Sequence, residues 1–95
     1  MKYELILNNF KFDETFKKLF DGKISDLLDV SPSDANANSN MTKTKTGYLG
    51  VLEVISSQGK FVVEAVGHDL DNMVKSLFQL MHRQISNWRN LRILS

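Results

Sequence analysis

Apolar and polar residues alternate one by one through residues 2–8, "KYELILN", with Tyr3, Leu5 and Leu7 on one side and Glu4, Ile6 and Asn8 on the other. A period of two sets one row on a core and the other on solvent, so this stretch reads as a strand. From Asp13 the spacing lengthens to threes and fours. Phe16, Leu19, Phe20, Ile24 and Leu27 then line one face of a helix running to Val30. Asp13 is a good N-cap, and Ser31-Pro32 ends the helix because proline disfavours a helical residue before it. Gly22 weakens the middle by about 1 kcal/mol relative to alanine and leaves room for a bend.

In residues 33–47, Ala35, Ala37, Ser39 and Met41 alternate with polar residues, mostly asparagines. That composition suits a polar edge strand or a loop, and the alternation favours a strand leading into a hairpin. "YLGVLEVISSQGKFVVEAV" is the clearest hairpin. If the chain turns between Ser56 and Gly59, Val54 faces Phe61, Leu52 faces Val63 and Gly50 faces Ala65. The small Gly50/Ala65 pair would let a helix come close. Gly67 breaks the last strand and Asp69 can cap a helix beginning directly after it. Leu70, Met73, Val74, Leu77, Met81, Ile85 and Trp88 fall in one broad stripe at 100° per residue, the pattern of a long amphipathic helix lying on a sheet. The predicted order is β-α-β-β-β-α. This is an α+β fold, a four-stranded sheet with two helices packed on one face, like that of double-stranded-RNA-binding domains.

Composition adds boundaries. Ninety-five residues make one domain, spanning 1–95, and 42% hydrophobic with 24% charged residues is ordinary for a globular chain. With no cysteine, disulfides, thiolate zinc sites and cysteine nucleophiles are excluded. "MKYELILNNF" lacks the apolar region of a signal peptide and no stretch is long enough to cross a bilayer, so a cytoplasmic protein with no membrane partner is expected. The net charge of +1 gives no global argument for nucleic acid, but its distribution is uneven. Residues 68–95 hold two acids against Lys75, Arg83, Arg89 and Arg92, so a polyanion site would be local.

Lys75, His82 and Arg89 are seven apart, so two helical turns bring each back to nearly the same side, at levels about 10 Å apart. Arg83 points to solvent and Arg92 extends the line. Such a flank is either the solvated edge of a helix or a ladder for phosphates. Lys23 lies at the rim of the first helix's apolar stripe, where its methylenes can lie on the core while its ammonium reaches the boundary. If the helices pack side by side, Lys23 and that flank would share a groove. Other chemistry is missing. His68 and His82 lack the partners of a catalytic constellation, and Gly47 and Gly50 are not followed by a phosphate loop's Gly-Lys-Ser/Thr. Asp13, Asp69 and Asp71 serve helix starts and call for no metal. Trp88 reads as core. No catalysis, cofactor or small-molecule substrate is expected.

At these residues the chain resembles the ribosome hibernation-promoting factors, also called the ribosome-associated inhibitor or sigma-factor modulation family, over almost its whole length. Arg83-Gln84-Ile85 matches the R-Q-L of that family's second helix, which begins at His68-Asp69-Leu70, and Val74, Phe78 and Met81 hold its apolar places. "GKFVVEAVGHD" is similar to the arm before it. "FKFDETFKKLFDGKISDL" is similar to the first helix, with Phe10, Phe12, Phe16, Phe20, Lys23, Ile24 and Leu27 at corresponding points. The resemblance implies a divergent short-form member that binds the small ribosomal subunit in the channel used by mRNA and tRNA, and silences idle ribosomes under stress. Basic residues of both helices grip rRNA backbone in that family. Lys23 and Arg83 keep matching positions, and Arg89 stands in a basic slot. The expected RNA-binding set is Lys23, Lys75, His82, Arg83, Arg89 and Arg92, with Lys43 and Lys45 as secondary contacts.

The chain departs from the pattern as well. Leu80 replaces a lysine, Ser86-Asn87 an R-K pair and Asp71 an aromatic, while Lys75 and His82 replace acids. Fewer cations mean weaker and less salt-sensitive binding. A second reading is therefore a protein-interaction module that has lost RNA binding. It would form a homodimer or partner complex through the open sheet face at Leu49, Val51, Ile55, Val62 and Val66.

Overall fold

The computed structural model describes the backbone of residues 3–94 and the side chains of residues 3–91. The order is β1 (Tyr3–Asn8), α1 (Glu14–Val30), β2 (Asn36–Lys43), β3 (Tyr48–Ser56), β4 (Gly59–Gly67) and α2 (Leu70–Leu94). One sheet runs β1-β2-β3-β4, with β1 parallel to β2 and the other neighbours antiparallel. Parallel neighbours need a crossover, which α1 supplies. Both helices lie on one face, and Phe20, Ile24, Leu27, Leu52, Val54, Met73, Leu77, Met81 and Ile85 form the core between them and the sheet.

The β3–β4 register is the expected one, with Val54 opposite Phe61, Leu52 opposite Val63 and Gly50 opposite Ala65 around a turn at Ser57-Gln58. At Gly50 the side chains of α2 come close against the strand backbone. A Cβ built there would meet Met73 Sδ and would lie 2.7 Å from Leu77 Cδ1, inside van der Waals contact. Helix ends follow the expected chemistry too. The Asp13 carboxylate accepts from Phe16 N–H at 2.7 Å, and Asp69 accepts from Asn72 N–H at 2.8 Å.

Three expectations change. β2 is an interior strand rather than an edge, because the α1 crossover returns β1 alongside it. Its asparagines lie on the solvent face, where Asn8 Nδ2 donates to Asn40 Oδ1 at 2.8 Å, while Ala37, Ser39 and Met41 are buried. Leu19 is half exposed at 50%, since it stands more than a quarter turn from the middle of the Phe20–Ile24–Leu27 line. Gly22 does not interrupt α1, which is a single helix.

Candidate nucleic-acid interface

The seam between α1 and α2 is built on aromatic packing. Phe20 of α1 meets Phe78 of α2 edge-on, with ring centroids 5.5 Å apart, and both rings are buried. Lys23, one helical step beyond Phe20, is half buried and sets its Nζ 5.8 Å from the Phe78 ring centroid. The stem covers the core while the ammonium stays at the rim, held by the ring's negative face. On the α2 side Lys75, Gln79 and His82 stand on successive turns, and Arg83 reaches the same place. Together Lys23, Asp26, Lys75, Phe78, Gln79, His82 and Arg83 line an open groove of about 610 Å³.

Lys23, Lys75 and Arg83 put three permanent cations on this groove against the single carboxylate of Asp26. Lys75 also pairs with Asp71 at 3.3 Å. Both partners are more than half exposed, so water screens that pair and Lys75 can still turn toward another anion. The open face of the sheet is the reverse. Its described strand residues carry Glu4, Glu53 and Glu64 against Lys60, which is already bound to Glu53 at 2.8 Å. The net positive charge of the seam and the net negative charge of the open sheet face thus lie on opposite sides of the domain.

Not every expected cation comes to the seam. Arg89 lies in a separate hollow of about 480 Å³ with Asp29, Asp34, Ser57 and Trp88. The reason is length. α1 ends at Val30, so the last turns of α2 run past it and face the loop after α1 and the β3–β4 turn instead. Lys43 and Lys45 sit at the opposite end, where Lys43 Nζ lies 5.9 Å from the Tyr48 ring centroid and Lys45 is exposed in the β2–β3 loop. The side chain of Arg92 lies outside the described residues. Trp88 is half buried, edge-on to Phe61 at 6.2 Å. Asp26 and Gln79 were not foreseen in the groove, although each stands three or four residues from an expected member, the helical spacing of neighbours.

The residues of the second reading fall on the open face as expected by alternation. Val66 and Val62 are the most exposed, at 74% and 43%, while Leu49 and Val51 are half buried. The asparagines of β2 and the charges of β3 and β4 divide them. Among the described residues no cluster of histidines and carboxylates could hold a metal ion, and no helix is long and apolar enough to cross a membrane.

In class this is a β-α-β-β-β-α domain, one sheet face covered by two helices whose seam gathers cations. No protein-family model and no curated protein sequence matches the chain. Solved structures do share its fold. The N-terminal domain of Protein Y from Thermus thermophilus aligns over 88% of this chain and 93% of its own, with a TM-score of 0.76 at 15% identity. A ribosomal subunit interface protein from Coxiella burnetii aligns over 95% of this chain and 99% of its own, with a TM-score of 0.79 at 15% identity. The likeness is one of fold along nearly the whole length.

Proposed function

We propose that this chain is a non-enzymatic, cytoplasmic ribosome-associated factor that binds the small subunit through rRNA backbone and restrains translation. The observation that supports it is the α1–α2 seam, where Lys23, Lys75 and Arg83 converge on the helical layer of a fold shared with a ribosomal subunit interface protein. The sheet behind it is acidic, which orients the domain toward a polyanion. Point cations on helix flanks read phosphate position and groove shape rather than base sequence, so recognition is by shape and charge. His82 adds a donor to the groove, while Arg89, Arg92, Lys43 and Lys45 act as outlying contacts.

Co-sedimentation with purified small subunits over a salt series tests this. The protein pellets with subunits at low salt and is released as salt rises, because each neutralised phosphate returns counterions to solution. Failure to pellet at the lowest salt overturns the reading.

A further inference from the structure

A second surface lies on the opposite flank of α2, where β4 ends the sheet. The turn at Ser57-Gln58 makes Ser56 and Gly59 the first hydrogen-bonded pair of the hairpin. Counting from there, the backbone N–H and C=O groups of Lys60, Val62, Glu64 and Val66 point away from β3 to the free edge. Gln84 agrees with that phase, since its Nε2 donates to Val62 O at 3.3 Å around the edge. Free edges are templates for another strand and are commonly guarded by charge. Here the guards are of opposite sign and stand two residues to either side of Val62: Lys60 before it and Glu64 after it.

We propose that the β4 edge is a dimer interface that takes a second copy of this chain, antiparallel about a two-fold axis at Val62. In that register each Val62 faces its mate as a hydrogen-bonded pair, the mate's N–H taking the place of Gln84 Nε2 at Val62 O, and each Lys60 faces the other copy's Glu64 on the open face. Glu64 gains a cation there, and it has no ion-pair partner among the described residues. Lys60 then bridges its own Glu53 and the mate's Glu64. Beneath the sheet the flank of α2 marked by Gln84 also carries Leu80 and Leu91, at helical steps of four and seven; Leu91 is 67% exposed. α2 lies over β3 and β4. With strands spaced about 4.8 Å, a helix above that pair meets its symmetry mate at about 10 Å, an ordinary helix-packing distance that closes Leu80 and Leu91 off from water. The other free edge lacks this match, since Glu4 is the only charge among the described residues of β1. The α1–α2 groove is on the far flank of α2, so pairing leaves it open and does not depend on ribosome binding.

Sedimentation equilibrium of the full chain from about 1 µM to about 1 mM reads the dimer directly. Glu64→Lys sets like charges face to face and raises the dissociation constant at least tenfold, and Lys60→Glu with Glu64→Lys together recovers most of that loss. Val62→Pro abolishes the dimer while the monomer stays folded by circular dichroism, because that N–H has no partner within the sheet. A chain that is monomeric throughout the range overturns the proposal. So does a dimer that survives Val62→Pro, which places pairing on the open sheet face, or a double variant no better than Glu64→Lys alone.

Discussion

The covered and open faces of the sheet are made by the same strands, one residue out of phase. Beneath the helices, Gly50, Leu52, Val54, Val63 and Ala65 present a surface so closely fitted that the Met73 and Leu77 side chains of α2 rest on the backbone at Gly50. On the other side Asn38, Asn40, Glu53 and Glu64 face water, with Asn40 bonded to Asn8 and Glu53 paired with Lys60. The covered face holds the stability, but it offers a ligand nothing. The cations gather at the rim of the helical layer, on Lys23, Lys75 and Arg83, where Lys23 lies over the Phe78 ring and the other two stand in water. Fold and site are therefore adjacent but separable.

The largest expected effect falls on the covered face. Gly50→Val forces a branched side chain into the space of the Met73 and Leu77 side-chain ends, lowering unfolding free energy by about 1–3 kcal/mol in urea titration. A loss under about 1 kcal/mol would mean that the ends of Met73 and Leu77 swing aside without cost. Next comes the rim. Lys23→Glu with Arg83→Glu changes the sign of the groove and should remove small-subunit co-sedimentation at salt where the parent chain still pellets. Simple neutralisation to alanine should lower the salt slope by about one unit per cation. Both changes should leave stability within about 1 kcal/mol, since the ring pair Phe20–Phe78 beneath them remains. Lys75→Ala should weaken binding less than Lys23→Ala, because Asp71 already occupies part of its charge.

What the amino-acid order reveals divides along the same line. The hairpin could be read to the residue because strict alternation leaves one register in which Gly50 and Ala65 pair under a helix. Both helix starts were visible in Asp13 and Asp69, whose carboxylates sit where free N–H groups need acceptors. Lys23 could be placed at the rim of α1's apolar stripe from its phase, and at the seam only on the condition that the helices pack side by side. The position of β2 could not, since a run of asparagines looks like an edge when nothing local tells that β1 will return beside it. Arg89 illustrates the same gap. Its spacing from Lys75 and His82 is regular, but the end of α1 decides where the shared groove stops. Periodicity within one element is local, whereas a site between two elements depends on their relative lengths.

A smaller gain is expected within α1. Gly22 is exposed, has a non-positive φ and has open space where a Cβ would stand, so no packing or turn requires glycine there. Gly22→Ala should raise stability by about 0.5–1 kcal/mol through helix propensity and a less free unfolded chain. Thermal and urea unfolding would measure it. Because Lys23 is the next residue, the same variant asks whether stiffening α1 alters the groove; unchanged co-sedimentation is the expected result.

The smallest effect belongs to the open face. Val66 is 74% exposed at the end of β4, so Val66→Lys removes little buried area and costs only a lower strand preference, within about 0.5 kcal/mol. It also adds a cation to the acidic side of the domain. If rRNA meets only the helical layer, that charge lies on the wrong face and small-subunit binding should not strengthen beyond the modest gain that any added positive charge brings at low salt, a gain that vanishes once the Debye length shrinks to about 10 Å near 0.1 M. A tighter complex persisting above that salt would show the sheet face against the nucleic acid. A fall in stability above about 1 kcal/mol, or the loss of a salt-insensitive assembly, would show Val66 buried against a protein partner. Either outcome would replace the division of labour between the two faces with a shared one.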